Sequence, residues 1–324
     1  MKVNLTQRST GMEKAKGMNS NYRYIYGPVA SRRFGRSLGV DLTPYKTCSL
    51  DCVFCQLGRT RYKTIERKEY MPTGGVLSEI ENWVENDGYA DVVTLSGSGE
   101  PTLHIGFGKV LENLKHHSIP TVLLTNGTLL DIAEVREAAI KADTVKVSFS
   151  AWNQPSFKWL NRPHSGLTFN RLKEGIKRFR SKFKGQLWIE VFLVGGINAM
   201  VSDVEKIAVA VKEIKPDRIH LNTAVRPPAE DFVVALPVER MKEFTCLFNP
   251  PAEIIPEYHI HSAKKIHADE YGILAMLKRR PSTMKQIEQT FSIHINEVSK
   301  HLGDLMRKGY IRTYFKNGKV YYGK

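Results

Sequence analysis

Short apolar runs alternate along the chain with longer stretches whose apolar residues recur at helical spacing. The runs Ser37–Leu42, Val92–Gly97, Thr121–Gly127, Thr144–Ser150, Trp188–Gly196 and Arg218–Thr223 have the length and apolar character of buried strands. Between them, Val76–Val84, Phe107–Leu114, Ile132–Ile140, Phe169–Phe183 and Val204–Ile214 read as helices. Strands that alternate with helices of this length predict βαβ units and a parallel sheet. Six units fall short of the eight that close a barrel. The expected fold class is therefore α/β, an open partial (βα)6 TIM-like barrel spanning residues 22–262. Its first strand leads into a cysteine-bearing loop, at the end of the sheet where such barrels collect their chemistry.

From His267 the pattern changes. Tyr271–Leu277 reads as one helix, Thr283 and Gln286 as the capping box of a second, and Val298, Leu302 and Leu305 as the inner face of a third. IRTYFKNGKVYYG, from Ile311 to Gly323, then reads as a hairpin turning in type I′ at Asn317-Gly318. Three helices and a hairpin predict a small winged helix-turn-helix domain over residues 263–324. Its Lys300, Arg307, Lys316 and Lys319 stand where such modules touch phosphates and base edges. Dimerisation or protein docking is the other use of such a module.

A chain of 324 residues with 25% charged residues has room for a full core and a second module. Residues 1–21 are polar and dotted with lysines, which predicts a flexible tail and no secretory signal. No run approaches the length of a membrane span. Four cysteines in so long a chain suit a reducing cytoplasm better than a disulfide framework. The net charge of +15 is unevenly placed: residues 1–63 carry 12 Lys+Arg against 3 Asp+Glu, and residues 264–324 carry 13 against 5. Basic ends around a nearly neutral middle suggest a polyanionic partner such as RNA or DNA.

Three of the four cysteines fall in CSLDCVFCQ, at Cys48, Cys52 and Cys55. Thiolates so spaced on one loop can share an inorganic centre. A [4Fe–4S] cube takes four ligands, and three leave one iron open to a substrate. Phe54 sets an aromatic face beside the last cysteine. A zinc site would want a fourth Cys or His nearby, and a ferredoxin run spaces its cysteines differently. One βα unit later comes SGSGEPTLH, Ser96–His104, where Gly97 and Gly99 permit close backbone approach and Glu100 can accept from an ammonium group.

Together these two stretches resemble the radical S-adenosylmethionine (SAM) superfamily. YGPVASRRFGRSLGVDLTPYKTCSLDCVFCQLGRT, SGEPTLH, LLTNGTLL, NRPHSG, LVGGIN and VRPP, in this order, are similar to the enzymes related to tRNA wyosine synthesis over roughly Tyr22–Pro228. The archaeal members carry extra cysteines for a second cluster, whereas this chain has only Cys246 left over. Cys246 lies in the helix-like VERMKEFTCLF and reads as a small buried hydrophobe.

The resemblance implies a [4Fe–4S] cluster on Cys48, Cys52 and Cys55, with SAM completing the fourth iron. It implies one-electron cleavage of SAM to a 5′-deoxyadenosyl radical that abstracts hydrogen, supplied by an electron donor of the flavodoxin or ferredoxin type. Gly97, Ser98, Gly99 and Glu100 would hold the methionine end of SAM. By position, Asn126, Ser148, Glu190 and Asn198 would face the same region. Asn126 also reads as a turn residue serving its own backbone, and Glu190 as the partner of a structural Lys or Arg. The expected substrate is RNA, most plausibly tRNA, gripped by the basic ends, including Arg32, Arg33 and Arg36. A protein or small-molecule substrate, or an iron–sulfur transcriptional sensor, are the other readings. With the cluster and SAM motifs wholly in the first domain, removal of residues 264–324 is expected to leave SAM cleavage intact.

Overall fold

The computed structural model describes residues 22–31, 33–86, 88–255, 270–316 and 318–324. The expected tail, Arg32, the 262/263 domain boundary and Asn317 of the hairpin turn lie outside them. Strand β1 (Ile25–Ser31) runs antiparallel to β2 (Gly35–Val40). The short parallel pair β3 (Thr47–Cys48) and β4 (Tyr62–Lys63) then brackets the cysteine loop. The chain continues through α1 (Thr73–Glu85), β5 (Val92–Leu95), α2 (Phe107–Leu114), β6 (Thr121–Thr125), α3 (Ala133–Ala139) and β7 (Thr144–Ser148). Helices α4 (Gln154–Asn161) and α5 (Phe169–Lys182) follow, then β8 (Gln186–Phe192), α6 (Val201–Ile214), β9 (Arg218–Asn222), α7 (Val238–Phe244) and β10 (Glu253–Ile254).

The strands stand in the order β1-β2-β5-β6-β7-β8-β9-β10, and every neighbouring pair except β1–β2 is parallel. The six expected strands are β2 and β5 to β9. Among the described residues β1 and β10 are unpaired edges, so the barrel is open. The helices cover the sheet through faces that follow the 3.6-residue period. In α2, Phe107, Val110, Leu111 and Leu114 are buried, as are Val204, Ile207, Ala208, Val211 and Ile214 in α6. Pairing of parallel neighbours aligns the strand ends, which brings the loops after β2, β5, β6, β7 and β8 to one rim.

Besides the two-residue strands β3, β4 and β10, two elements were not expected. The Gly27-Pro28 pair and a register shift between Tyr26 and Val29 break the alternation of β1, so its strand pattern is masked. Helix α4 has only two large apolar residues buried, Phe157 and Leu160, and is opened instead by a capping box between Asn153 and Ser156. Cys246 departs from expectation: it is exposed, because α7 spends its buried positions on Met241 and Phe244 and the chain then turns in a short 3-10 segment, Thr245–Leu247.

The C-terminal module comprises α8 (Glu270–Arg279), α9 (Met284–Phe291), α10 (Ile295–Arg307) and the hairpin β11 (Arg312–Lys316) and β12 (Lys319–Gly323). The capping box of Thr283 and Gln286 opens α9, and Val298, Leu302 and Leu305 are buried in α10. Ile273, Leu277, Ile287 and Phe291 complete a core separate from that of the barrel. Helix α8 lies against β1, and its Tyr271 hydroxyl donates to the carbonyl of Tyr22.

Candidate active site

The loop after β2 is pinned at both flanks of its cysteines. Backbone N–H groups of Asp51 and Val53 donate to the carbonyls of Asn161 and Leu160, at the end of α4. The Asp51 carboxylate accepts from Thr60 N at 2.7 Å and from Arg59 Nε at 2.9 Å, closing the far side. Within it, Cys55 N donates to Cys52 O, and Gly58 N to Cys55 O. The thiols gather N–H donors: Asn126 Nδ2 lies 3.5 Å from Cys48 Sγ, Asn161 Nδ2 3.2 Å from Cys52 Sγ and Lys46 Nζ 3.6 Å from Cys55 Sγ. Burial pushes the Cys48 thiol up to about 12, aided by the nearby Glu100 carboxylate, and burial raises Cys52 as well. Thiols so buried become thiolates when a metal centre supplies the compensating charge.

Cys48, Phe54 and Cys55 open on a cavity of about 420 Å³ at the C-terminal rim of the sheet. Phe54 stacks on Phe192 at the end of β8, with centroids 4.3 Å apart. The cavity also receives the turn after β5. Gly97 has φ +143°, and a Cβ there would stand 2.4 Å from the Asp41 carboxyl carbon. A Cβ on Gly99 would stand 1.8 Å from the carbonyl oxygen of Thr47, so glycine alone lets this turn lie against the cysteine loop. Asp41 holds the turn from beneath, accepting from Ser98 N at 3.0 Å and Ser98 Oγ at 2.6 Å. Ser98 therefore faces Asp41 and anchors the turn, while Gly97, Gly99 and Glu100 line the cavity.

Glu100 is buried and accepts from Thr102 N and Oγ1, from Thr125 Oγ1 and, on its other oxygen, from Asn126 N at 2.7 Å. Burial raises its pKa and these donors oppose the rise. Among the described residues it forms no ion pair, so a buried carboxylate faces the cavity with no cation supplied by them. Asn126 serves its own turn, its Oδ1 accepting from Thr128 N, and it also lines the cavity, with Nδ2 reaching Ser49 Oγ and the Cys48 thiol.

Ser148 and Glu190 line the cavity at the ends of β7 and β8. Glu190 is bonded to Arg33 and, at 2.5 Å, to Lys146 on the neighbouring strand, the structural pairing that a buried carboxylate calls for. Asn198 stands outside the cavity. Its side chain is used up bridging Val194 N, Ser150 O and Phe192 O. Arg36 is likewise occupied: it stacks on Tyr89, 3.9 Å from the ring centroid, beside Asp91.

The module contributes cavity wall that sequence reasoning missed. Met276 and Arg279 of α8 and Arg280 just past it line the cavity, together with Arg226 after β9. Arg279 Nε donates to Asp41 Oδ2 at 3.0 Å and its guanidinium lies 4.1 Å from the Tyr26 ring centroid. The module is thus joined to the carboxylate that holds the SGSGE turn, which removes the ground for expecting the two domains to be separable. Of the four cations foreseen for nucleic acid, Lys300 and Lys319 are exposed, Arg307 pairs with Asp304, and Lys316 turns inward to Asp231 of the barrel at 2.9 Å. Sequence spacing carries no signal of this contact: the expected helix ended at Leu277, and Arg279 lies beyond it in the last turn of α8.

The donor set fits an iron–sulfur cube better than a lone ion. Among the described residues no three His, Cys, Asp or Glu side chains could hold a single metal ion. In a cube each thiolate binds its own iron; Cys48 and Cys55 line the cavity, and Cys52 stands between them on the same loop. The glycine cradle and the cation-free Glu100 beside that cavity fit an amino-acid ammonium. Among the described residues no helix is long and apolar enough to cross a membrane.

A model of the radical SAM superfamily matches residues 42–232. A UPF0026 protein of Methanocaldococcus jannaschii is 32% identical over 312 residues, 92% of this chain and 95% of that protein. A protein named GTPase Obg from Brachyspira hyodysenteriae is 34% identical over 305 residues, 92% of this chain, and the chain spans only 45% of that protein. Among solved structures, Streptococcus suis SuiB bound to S-adenosylmethionine superposes with TM-score 0.51 at 16% identity, over 67% of this chain and 49% of that one. TYW1 with a lysine-pyruvate adduct gives TM-score 0.50 at 16% identity, over 67% and 74%. These two are likenesses of fold. The chain belongs to the radical SAM superfamily, and it is an enzyme whose cofactors are a [4Fe–4S] cluster and S-adenosylmethionine.

Proposed function

We propose that this enzyme cleaves SAM reductively at the cysteine loop and directs the resulting radical at an RNA substrate. Cys48, Cys52 and Cys55 would hold the cluster, with Asn126, Asn161 and Lys46 donating toward their sulfurs. Glu100 would take the ammonium of SAM while Gly97 and Gly99 admit its backbone-like end. When bound, the cluster and SAM supply a 5′-deoxyadenosyl radical that abstracts hydrogen from the substrate. The protein supplies orientation and the exclusion of water: Phe54 on Phe192 walls one side and α8 roofs another.

The observation that carries the RNA reading is the roof. The C-terminal module, which reads as a winged helix, brings Arg279 and Arg280 to the cavity wall beside Arg226, and the chain as a whole carries +15. An anionic substrate presented by a basic module suits that wall, and the wyosine-synthesis resemblance points the same way. The test is to incubate reduced holoprotein with SAM and bulk tRNA, digest the RNA and read nucleoside masses. A new nucleoside, with 5′-deoxyadenosine formed faster than without RNA, is the expected result. SAM cleavage indifferent to RNA, with no mass change, favours a protein or small-molecule substrate.

A further inference from the structure

A second cavity, of about 630 Å³, lies between the cysteine loop and the C-terminal module. Its walls come from Tyr45, Lys46, Gln56–Arg59 and Arg61, from the Pro227-Pro228 turn, and from α8, β11 and Lys324. Seven Lys or Arg side chains line it against a single carboxylate, Asp231, which Lys316 already occupies. Arg59 is paired with Asp51 and Glu230. Arg61, Lys278, Arg312 and Lys324 form no ion pair among the described residues. The crowding is felt at Lys278, whose pKa is lowered by burial first and then by the charges of Lys324 and Arg279. Like charges gathered in one groove repel unless an anion joins them.

The groove is also aromatic. Arg61 and Lys324 lie 5.4 and 5.7 Å from the Tyr45 ring centroid, and Arg312 lies 5.2 Å from that of Tyr314. Phe315, beside them on β11, is 77% exposed, a large apolar face that the described residues leave mostly open. Cations interleaved with open rings are the means by which proteins track single-stranded nucleic acid, phosphates on the charges and bases on the rings. The groove also leads somewhere. Gln56 lines both cavities, and its Oε1 accepts from Arg226 Nη1 at 3.1 Å on the cluster side.

We propose that this groove holds a single-stranded segment of the RNA substrate and feeds it past Gln56 into the cluster cavity. Arg61, Lys278, Arg312 and Lys324 take its phosphates, and Phe315, Tyr314 and Tyr45 take its bases. The inference rests on the RNA reading above. An acidic protein would match the charge, but it would leave the concave shape and the open Phe315 ring without a use.

The test uses anaerobic holoprotein and a fluorescent oligouridylate of about 10 nucleotides, a length within the range of such sites. Wild-type affinity should fall steeply with salt, and Arg61→Ala or Arg312→Ala should each lower the log–log slope by about 0.7, the single-strand value. Phe315→Ala removes an exposed side chain, so the fold is spared. It should weaken binding by about five- to a hundredfold with the slope unchanged. If these three variants bind like wild type while Lys300→Ala weakens binding, RNA lies on the outer face of α10 and the groove assignment is wrong. If they bind RNA normally but slow cluster reduction by flavodoxin, the groove belongs to an acidic protein donor. If wild type itself binds no RNA, the substrate reading fails along with the groove.

Discussion

Glu100 is held by hydrogen bonds on both oxygens and meets no cation among the described residues, and in the proposed reading it accepts an incoming ammonium. Glu100→Gln keeps the shape and removes the charge. It should weaken SAM binding by about tenfold or more, the usual worth of a charge-assisted bond, while iron content and the visible spectrum stay those of wild type. Equal loss of iron and of SAM affinity would make Glu100 a scaffold only. A second residue tests the barrel wall. His220 is buried on β9 beside Lys146, Arg33, Glu190 and Glu253, with its edge on Trp188 and no partner for Nδ1 among the described residues. Burial first, then Lys146 and Arg33, pull its pKa down to about 4. The folded value lies below the unfolded one of about 6.5, so the neutral ring favours folding above that pH. That contribution is lost as pH falls from about 6.5 toward 4. The thermal midpoint should therefore drop further between pH 7 and pH 5 in wild type than in His220→Phe, and parallel drops would remove His220 from the account. The cysteines, Phe54 and the glycine turn were legible because their chemistry is written in local spacing. Lys46, Asp41 and Asn161 were not, because each earns its place only through a partner distant in sequence.

Helix α8 is the element whose position changes the reading most. Its core face, with Ile273 and Leu277, belongs to the module, while Arg279 reaches Asp41 and so braces the turn that carries Gly97 to Glu100. Arg279 is a positioning residue for that turn. Arg279→Ala leaves Asp41 buried beside Ser98 without its cation, and SAM affinity should fall about tenfold with iron content unchanged. Arg279→Lys should recover part of the loss, whereas a general stability defect would lower the melting temperature without separating SAM affinity from iron content. Periodicity foretold the six parallel strands and most helices, since each buries one regular face. It missed β1, broken by Gly27-Pro28, and α4, whose signal is a cap more than a stripe. It also foretold α8 as a helix without foretelling its neighbour, since helix docking depends on distant residues such as Tyr26 and Tyr22.

At the scale of the whole molecule, the cysteine loop lies between two cavities, one roofed by α8 and one walled by α8 and β11. Barrel and module therefore share the site, and the basic C-terminal segment is part of its wall. The alternative of a non-enzymatic sensor leaves the glycine cradle and Glu100 without purpose. The central claim is that three thiols hold a cluster with one iron left for SAM, and one measurement addresses it directly. Anaerobically reconstituted Cys246→Ala protein is reduced and given SAM, and 5′-deoxyadenosine is quantified by chromatography. The account predicts about four irons per chain and 5′-deoxyadenosine formation as in wild type, because Cys246 is exposed on the 3-10 turn after α7, outside the cavity. A reduced, iron-loaded protein that forms no 5′-deoxyadenosine, or loss of the cluster with Cys246, would contradict it.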